Sequence, residues 1–187
     1  MSVFSFSWGS PAQNATRNYP DLQPVSDASG GNVVKGWIAD GTPGGGTNWD
    51  RGIQAAADAN RLRPAADRYD LAVVLTDGNP TNWGGTGTTS GTVNGNGSNN
   101  RIIEVEKAVF SANALKAQAT RVIGFGVGAG VTDPNTTFNL KAISGDTRFG
   151  PGVNPIDADF FQEPSYADAA GALRSIALPP AGRPSAC

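Results

Sequence analysis

The chain has 187 residues, of which 39% are hydrophobic and 8% aromatic, so it can bury the core of one globular domain. Its 14 basic and 16 acidic residues give a net charge of −2 without any block of like charges, which argues against nucleic-acid binding. The chain contains no histidine, the commonest transition-metal ligand, so a bound ion should be a hard cation such as Mg²⁺, Mn²⁺ or Ca²⁺.

The sequence predicts neither membrane insertion nor export. No apolar run approaches the roughly 18 residues of a transmembrane helix. The opening residues have neither the basic nor the apolar region of a signal peptide, so this stretch alone predicts an unexported chain. The single cysteine, Cys187, has no partner for a disulfide within the chain.

The N-terminal third contains one predicted strand and one predicted helix. Residues 3–7 alternate apolar and hydroxyl side chains, which is typical of a strand. Residues 33–38 form a short apolar segment whose type the sequence does not decide. After three glycines, Thr47 and Asp50 resemble a capping box that opens a helix running to about Asn60.

The middle of the chain alternates strands and helices. Residues 69–75 are mostly apolar, which predicts a strand buried on both faces of a parallel sheet, and Asp77 follows at its carboxyl end. Residues 82–100 are rich in Gly, Thr, Ser and Asn without apolar periodicity, so they form either a mobile insertion or a functional loop. A helix with Ile102 on its apolar face should precede a second buried strand at 121–127.

The last third adds smaller elements. The pattern predicts a brief helical turn at 139–143, an edge strand at 158–161, a helix from Tyr166 to Ile176 and a proline-rich exit linker at 179–187. The alternation along the whole chain predicts an α/β fold, with a doubly wound, mostly parallel sheet flanked by helices. Ligands of such sheets bind at the carboxyl ends of the strands.

Three segments together resemble a von Willebrand factor type A (VWA) domain. They are Gly45-Gly46-Thr47-Asn48 before a helix, residues 71–80 and residues 121–128, and their order and spacing match the family as well as their motifs. Residues 3–7 resemble the second strand of that family. The resemblance therefore implies one partial VWA-like domain at residues 1–178.

The resemblance also implies an oxygen-ligated metal site. In VWA domains a metal-ion-dependent adhesion site holds Mg²⁺ or Mn²⁺ with a D-x-S-x-S run after the first strand, a Thr in the G-G-T-N loop and an Asp in the T-D-G loop. Thr47 and Asp77 occupy the last two positions, with Asn48, Gly78 and Trp83 as neighbouring ligand-binding residues. An acidic side chain of a protein partner would complete the shell of the ion.

The first strand of the family and its D-x-S-x-S loop have no counterpart in the sequence. The nearest candidate, residues 27–30, lacks the second Ser and follows a polar stretch, so metal binding is expected to be weak or absent. The first strand is the centre of the family's sheet. The strands at 3–7 and 71–75 would therefore lose a shared neighbour, which a partner chain or a missing N-terminal segment could supply.

Each site residue also has a plain structural interpretation. Thr47 can be only a helix N-cap, and Asp77 can simply begin a turn, since Asp-Gly-Asn-Pro is strong turn chemistry. Trp83 can be a binding anchor or can cap the sheet, whereas Trp49 fits the packing of its helix better. The glycines at 124–128 match a dinucleotide-binding fingerprint only loosely.

The resemblance implies a protein-interaction or adhesion module, not an enzyme, within a larger extracellular or cell-surface protein. Its protein partner would bind at the face formed by the Thr47 and Asp77 loops. Two alternatives stay open. An inert spacer domain would explain the missing metal loop, and a nucleotide-handling α/β protein would use the glycine loop, although the P-loop lysine is absent.

Overall fold

A computed structural model describes residues 1–42 and 44–177, so the exit linker predicted at 179–187, with Cys187, lies outside the described residues. None of the helices in the described part of the chain is long and apolar enough to cross a lipid bilayer. In chain order, the helices and strands are α1 (Ala28–Ile38), α2 (Trp49–Arg61), β1 (Leu71–Thr76), β2 (Asn82–Trp83), β3 (Asn94–Gly95), α3 (Ile102–Lys116), β4 (Arg121–Val127), α4 (Pro134–Ile143), β5 (Phe160–Glu163) and α5 (Tyr166–Ala177).

The chain divides into two compact units. The first contains Met1–Ala72 and Pro80–Arg121, and the second contains Val73–Asn79 and the chain from Val122 onward. A three-stranded parallel sheet with the order β1-β4-β5, flanked by helices, gives the chain an α/β, Rossmann-like fold. The predicted fold class is therefore confirmed.

The core of the second unit forms around β4 and β5. These strands pair in parallel with Phe125 opposite Phe161, and the two buried rings stack with their centroids 5.0 Å apart. Strand β5 lies at an edge of the sheet, as predicted. It begins at Phe160, two residues later than predicted, because the backbone N–H of Asp159 donates instead to Thr147 O (2.7 Å).

Strand β1 lies at the other edge of the sheet and is only half buried. Leu71, Val73 and Leu75 keep 39%, 37% and 48% of their surface exposed, while Val74 is buried. The prediction of a strand buried on both faces is wrong. An unbroken apolar run indicates hydrophobicity, but it does not indicate which neighbouring elements are present to cover it.

Residues 3–7 do not form the predicted strand. Only Val3 pairs, in an isolated antiparallel bridge with Tyr19. The hydroxyl of Ser5 instead accepts a hydrogen bond from the backbone N–H of Ala12 (3.0 Å). Local bonds of this kind fold the segment back on itself and compete with the ladder that a strand would need.

Helix α1 decides the type of the apolar segment at 33–38 and the role of Asp27. The Asp27 carboxylate caps the helix by accepting a hydrogen bond from Gly30 N (2.8 Å), and Val34 is buried on the helix. The run at 27–30, which is the nearest sequence to a metal-binding D-x-S-x-S loop, is therefore the start of a helix.

Helices α2 and α3 pack against each other in the first unit. Trp49 is fully buried on α2, whereas Ile102, predicted on the apolar face of α3, is 70% exposed. Glu104 takes the inward position at this end of α3. It does so because its carboxylate accepts a hydrogen bond from the backbone N–H of Arg101 (3.0 Å), which satisfies a free donor at the helix start.

Residues 82–100 contain a folded hairpin. Strands β2 and β3 pair antiparallel, and a 3₁₀ turn at Ser90–Thr92 lies between them. Asn82 is fully buried, and its amide donates to Asn94 O (3.2 Å). The segment has no apolar periodicity because polar side chains and backbone groups, rather than apolar packing, hold it together.

Helix α4 is longer than the turn predicted at 139–143. The carboxylate of Asp133 caps it by accepting hydrogen bonds from the N–H groups of Asn135 (2.7 Å) and Thr136 (3.0 Å). Pro134 takes the first helical position, where its missing N–H is not needed. The prediction missed this start because the first turn carries no apolar periodicity.

Candidate functional site

Thr47 lies at the end of a glycine loop that is built around Trp8. Gly45 has a φ of +91°, and a side chain there would come within 2.7 Å of the Trp8 indole. A side chain on Gly46 would lie 2.8 Å from the same ring. A side chain on Gly97, where φ is +74°, would overlap the ring as well. We call these three glycines the glycine cradle of Trp8, and their packing fixes the position of the Thr47 loop.

The backbone of Thr47 is hydrogen-bonded to Thr81 and Asn82, whereas its hydroxyl has no hydrogen bond with a described residue. Its N–H donates to Thr81 Oγ1 (3.0 Å), and its carbonyl accepts from Thr81 N (2.8 Å) and Asn82 N (3.2 Å). The N-cap of α2 is Asn48, so the interpretation of Thr47 as only an N-cap is wrong. No described residue forms a hydrogen bond with the Thr47 hydroxyl.

Asn48, predicted to bind ligand, is buried and bonded on both sides of its amide. Its Nδ2 donates to Trp8 O (2.6 Å) and Gly84 O (3.3 Å), and its Oδ1 accepts from Arg51 N (3.0 Å). The side chain therefore holds the Thr47 loop, the start of α2 and the hairpin together.

Asp50 does not complete the predicted capping box. Its Oδ2 accepts a hydrogen bond from Gly84 N (2.8 Å), and its Oδ1 accepts one from Ser111 Oγ (2.5 Å). Because Asn48 already caps α2, the carboxylate is free to link that helix to the hairpin and to α3. The sequence pattern singled out Asp50, but it did not predict that the carboxylate bonds to Gly84 and Ser111.

Asp77 follows β1 in the second unit and has a free carboxylate. Its side chain is exposed, and no described residue makes a hydrogen bond or an ion pair with it. The turn after β1 is closed instead by Thr76, whose hydroxyl donates to Gly78 O (2.8 Å). The Asp77 carboxylate therefore has no hydrogen bond that closes this turn, so the interpretation of Asp77 as only a turn residue does not account for its side chain.

The backbone of the Asp77 loop is held from two sides. A side chain on Gly130, in the loop after β4, would lie only 3.0 Å from Asp77 O. Asn79 Oδ1 accepts a hydrogen bond from Asn139 Nδ2 (2.9 Å), which ties the loop to α4. These contacts fix the backbone and leave the carboxylate in solvent.

Asp133 is a second carboxylate of this unit, but it is committed to the start of α4. The hydrogen bond from the Thr136 hydroxyl (2.8 Å) lowers the pKa of Asp133 below its ordinary value, and partial burial opposes this shift. Bonds from the N–H groups of Thr136 and Asn135 lower the pKa further. The charge therefore stabilises the helix start.

Trp83 lies on an aromatic surface of the first unit. The ring is half-buried, and Lys107 Nζ lies 5.4 Å from its centroid. The same ammonium group lies 5.4 Å from the ring centroid of Phe110, which is 57% exposed. Sequence reasoning missed Lys107 and Phe110, although a phenylalanine outside the apolar face of α3 was a signal for such a surface.

The predicted site residues fall in both units. Thr47, Asn48 and Trp83 belong to the first unit, and Asp77 and Gly78 belong to the second. In the first unit, the hydrogen bonds of Asn48 join the Thr47 loop to the hairpin that carries Trp83.

The oxygen groups of the two loops do not amount to a tight metal site. Within residues 1–42 and 44–177, no cluster of three or more His, Cys, Asp or Glu side chains could hold an ion. One hydroxyl and one carboxylate are few protein ligands for cations that take about six oxygens. Thr47 and Asp77 therefore do not by themselves fit a tightly held Mg²⁺ or Mn²⁺.

The glycines of β4 have a packing explanation. A side chain on Gly124 would lie 3.2 Å from Leu140, and one on Gly126 would lie 3.0 Å from Val131. Helix α4 and the turn before it thus lie directly against the strand. This close approach accounts for the glycine spacing that resembles a dinucleotide fingerprint.

Comparison with known proteins bears on the fold. No family model matches the chain, and no curated protein matches its sequence. A crystal structure of the pilus adhesin SpaC from Lactobacillus rhamnosus GG matches 94% of this chain with a TM-score of 0.56 at 15% sequence identity. The chain shares the fold of part of a pilus adhesin. It spans 24% of that adhesin chain, and at this identity the likeness shows the fold alone. Membership of the VWA family stays a prediction.

Proposed function

We propose that the chain is a protein-interaction module of an adhesion protein, related to VWA domains, which binds its partner through the loops that carry Thr47 and Asp77. The main support is that both loops have a fixed backbone while the Thr47 hydroxyl and the Asp77 carboxylate have no partner among the described residues. The likeness in fold to a pilus adhesin supports the adhesion role.

The two free groups favour a polar protein partner. A hydroxyl can donate or accept a hydrogen bond, and an exposed carboxylate accepts from N–H groups or pairs with Lys and Arg. The acidic partner side chain that the resemblance implies would need a cation between it and Asp77, because two carboxylates repel each other. Since Mg²⁺ or Mn²⁺ should bind weakly, we assign Asp77 to a basic or N–H group of the partner.

The proposed module acts outside the cell, as part of a longer surface protein. The hairpin and the aromatic surface at Trp83 supply further contact groups, of the kinds that are common in protein interfaces. No catalytic residue is assigned. The chain has no histidine and no lysine in a P-loop arrangement, and the glycines of β4 are explained by packing.

Solid-phase binding to a panel of purified extracellular-matrix and cell-surface proteins tests this proposal. Binding of the partner should fall by about tenfold or more in Asp77→Asn and in Thr47→Val, because each variant loses a contact group but keeps the packing of its loop.

Asp157→Asn is the matched control, since Asp157 is an exposed carboxylate of the same unit as Asp77. This variant should bind as the unchanged chain does. If binding survives both loop substitutions, the partner contacts another surface and the proposal fails. If the unchanged chain binds no protein of the panel, the spacer alternative is favoured.

A further inference from the structure

We propose that Asn96 is a self-modifying residue, whose side chain is attacked by its own backbone, loses ammonia and becomes aspartate or isoaspartate. The chain contains two Asn-Gly dipeptides, Asn94-Gly95 and Asn96-Gly97, and both asparagines are exposed. Glycine has no side chain to shield its backbone nitrogen from the preceding asparagine. The reaction requires neither Thr47 nor Asp77, so it is independent of the proposed binding function.

The reaction needs a free backbone nitrogen, which Gly97 supplies. Its N–H makes no hydrogen bond with a described residue. The nitrogen attacks Cγ of Asn96, so that an N–Cγ bond forms and the N–H proton is lost to water, while Nδ2 takes a proton from water and leaves as ammonia. The product is a succinimide ring. A water molecule then opens the ring at either carbonyl to give aspartate or isoaspartate.

The side-chain carbonyl of Asn96 is held by two donors. Its Oδ1 accepts hydrogen bonds from the backbone N–H groups of Ser98 (3.0 Å) and Asn99 (2.9 Å). These bonds fold the side chain over the backbone that follows it, which begins at Gly97 N. When the nitrogen attacks, Oδ1 becomes an oxyanion, and donors that are already in place stabilise the charge as it develops. The loop therefore lowers the barrier to its own modification.

Asn94 lacks these donors and lies in a paired strand. Its Oδ1 accepts no hydrogen bond from a described residue, and β3 pairs with β2 through Asn94 and Gly95. The side chain of a strand residue points away from the backbone, so the pairing must open before Gly95 N can reach it. Asn94 is therefore an internal reference with the same dipeptide chemistry.

The modification acts on the glycine cradle of Trp8. Isoaspartate adds one methylene to the backbone immediately before Gly97, which packs against the Trp8 ring. Aspartate adds only a charge, and its carboxylate can still accept the hydrogen bonds from Ser98 N and Asn99 N. Isoaspartate, rather than aspartate, should therefore loosen the packing around Trp8.

Peptide mapping by mass spectrometry tests the proposal on the full chain, incubated at mildly alkaline pH. The amide should be lost about tenfold faster at Asn96 than at Asn94. In urea neither residue keeps its folded-state hydrogen bonds, so the two rates should become similar. This comparison between folded and unfolded chain needs no substitution.

Ser98→Pro removes one of the two N–H donors and should slow the loss at Asn96 by about tenfold, with the rate at Asn94 unchanged. Ser98→Ala is the matched control, because it keeps the backbone N–H and the Ser98 hydroxyl makes no hydrogen bond with a described residue. If Ser98→Pro does not fold, the comparison in urea still gives an independent readout.

Three results would overturn the proposal: loss at Asn96 no faster than at Asn94 in the folded chain, the same ratio of rates in the folded and the unfolded chain, or equal rates in Ser98→Pro and Ser98→Ala. The isoaspartate form, separated by chromatography, should unfold at a lower urea concentration than Asn96→Asp, which carries the same charge. Equal urea midpoints would contradict the effect on the glycine cradle.

Discussion

At the scale of single residues, Trp8 and its glycine cradle show how one aromatic ring can fix the Thr47 loop. The indole fills the space that side chains on Gly45, Gly46 and Gly97 would need. Gly45 and Gly97 also have positive φ angles, which other residues rarely adopt. The position of Thr47 therefore depends on a tryptophan that lies far from it in the sequence.

Gly97→Ala tests this packing. The new methyl group would overlap the Trp8 ring, and the residue would keep its φ of +74°. We expect the free energy of unfolding, measured by urea denaturation, to fall by about 1–3 kcal/mol. Gly91→Ala is the control, because nothing lies within 4 Å of its methyl position. Equal destabilisation by both substitutions would contradict the glycine cradle.

The pH dependence of stability should include a contribution from Asp133. Its folded-state pKa is lowered, so the ionised carboxylate stabilises the fold at neutral pH, and this contribution is lost as the pH falls below about 4 towards the folded-state pKa. Asp133→Asn keeps an N-cap acceptor but cannot titrate.

We expect urea denaturation to show the unchanged chain more stable than Asp133→Asn at about pH 7, and this difference should shrink at about pH 3. A difference that stays constant with pH would show that the hydrogen bond from Thr136 does not favour the charged carboxylate.

The sequence identified Thr47 and Asp77 as candidate site residues but could not predict the state of their side chains. The Thr47 hydroxyl is unbound because Asn48 caps α2, and the Asp77 carboxylate is unbound because Thr76 closes the turn. Both outcomes depend on which of two adjacent polar residues takes the local hydrogen bond, and a motif does not specify that choice.

At the scale of elements, periodic segments were predictable and segments held by polar contacts were not. Strand β4 and helix α2 lie close to their predicted positions because apolar side chains at regular spacing determine them. Residues 3–7 and the hairpin of β2 and β3 differ because Ser5 and Asn82 side chains bond to backbone groups of Ala12 and Asn94. Such bonds produce no periodic pattern of apolar residues in the sequence.

Asp50→Ala should loosen the hairpin. The substitution removes the bonds to Gly84 N and Ser111 Oγ, and we expect the free energy of unfolding to fall by about 1.5–3 kcal/mol, with faster hydrogen exchange at the Gly84 amide. Asp58→Ala is the control on the same helix, since the Asp58 side chain is 53% exposed. Unchanged protection of the Gly84 amide in Asp50→Ala would contradict the link.

At the scale of the whole molecule, the alternation of strands and helices was enough to predict the α/β class. It was not enough to predict that β1 lies at an edge, because the apolar run at 71–75 has the same composition in a central strand and in a half-covered one. The position of a strand in a sheet is a property of its neighbours. The VWA resemblance implied a lost neighbour for the strand at 71–75, and the structure shows which side chains of β1 are exposed.

Mg²⁺ should bind this chain weakly. Isothermal titration should give a Kd no tighter than about 1 mM, because a hydroxyl and one carboxylate leave most of the coordination shell to water. Asp77→Ala should remove the residual binding, and Asp157→Ala should not. A micromolar Kd for the unchanged chain would contradict this, since it would require protein ligands beyond Thr47 and Asp77.

The claim that one partner is bound through both loops is tested most directly by a double-mutant cycle on the partner found in the solid-phase panel. Dissociation constants are measured for the unchanged chain, Thr47→Val, Asp77→Asn and the double variant. We predict a loss of about tenfold or more for each single variant, and a loss for the double variant close to the product of the two, because each side chain contributes its own contact. Full binding by either single variant would contradict the claim that both loops contact the partner.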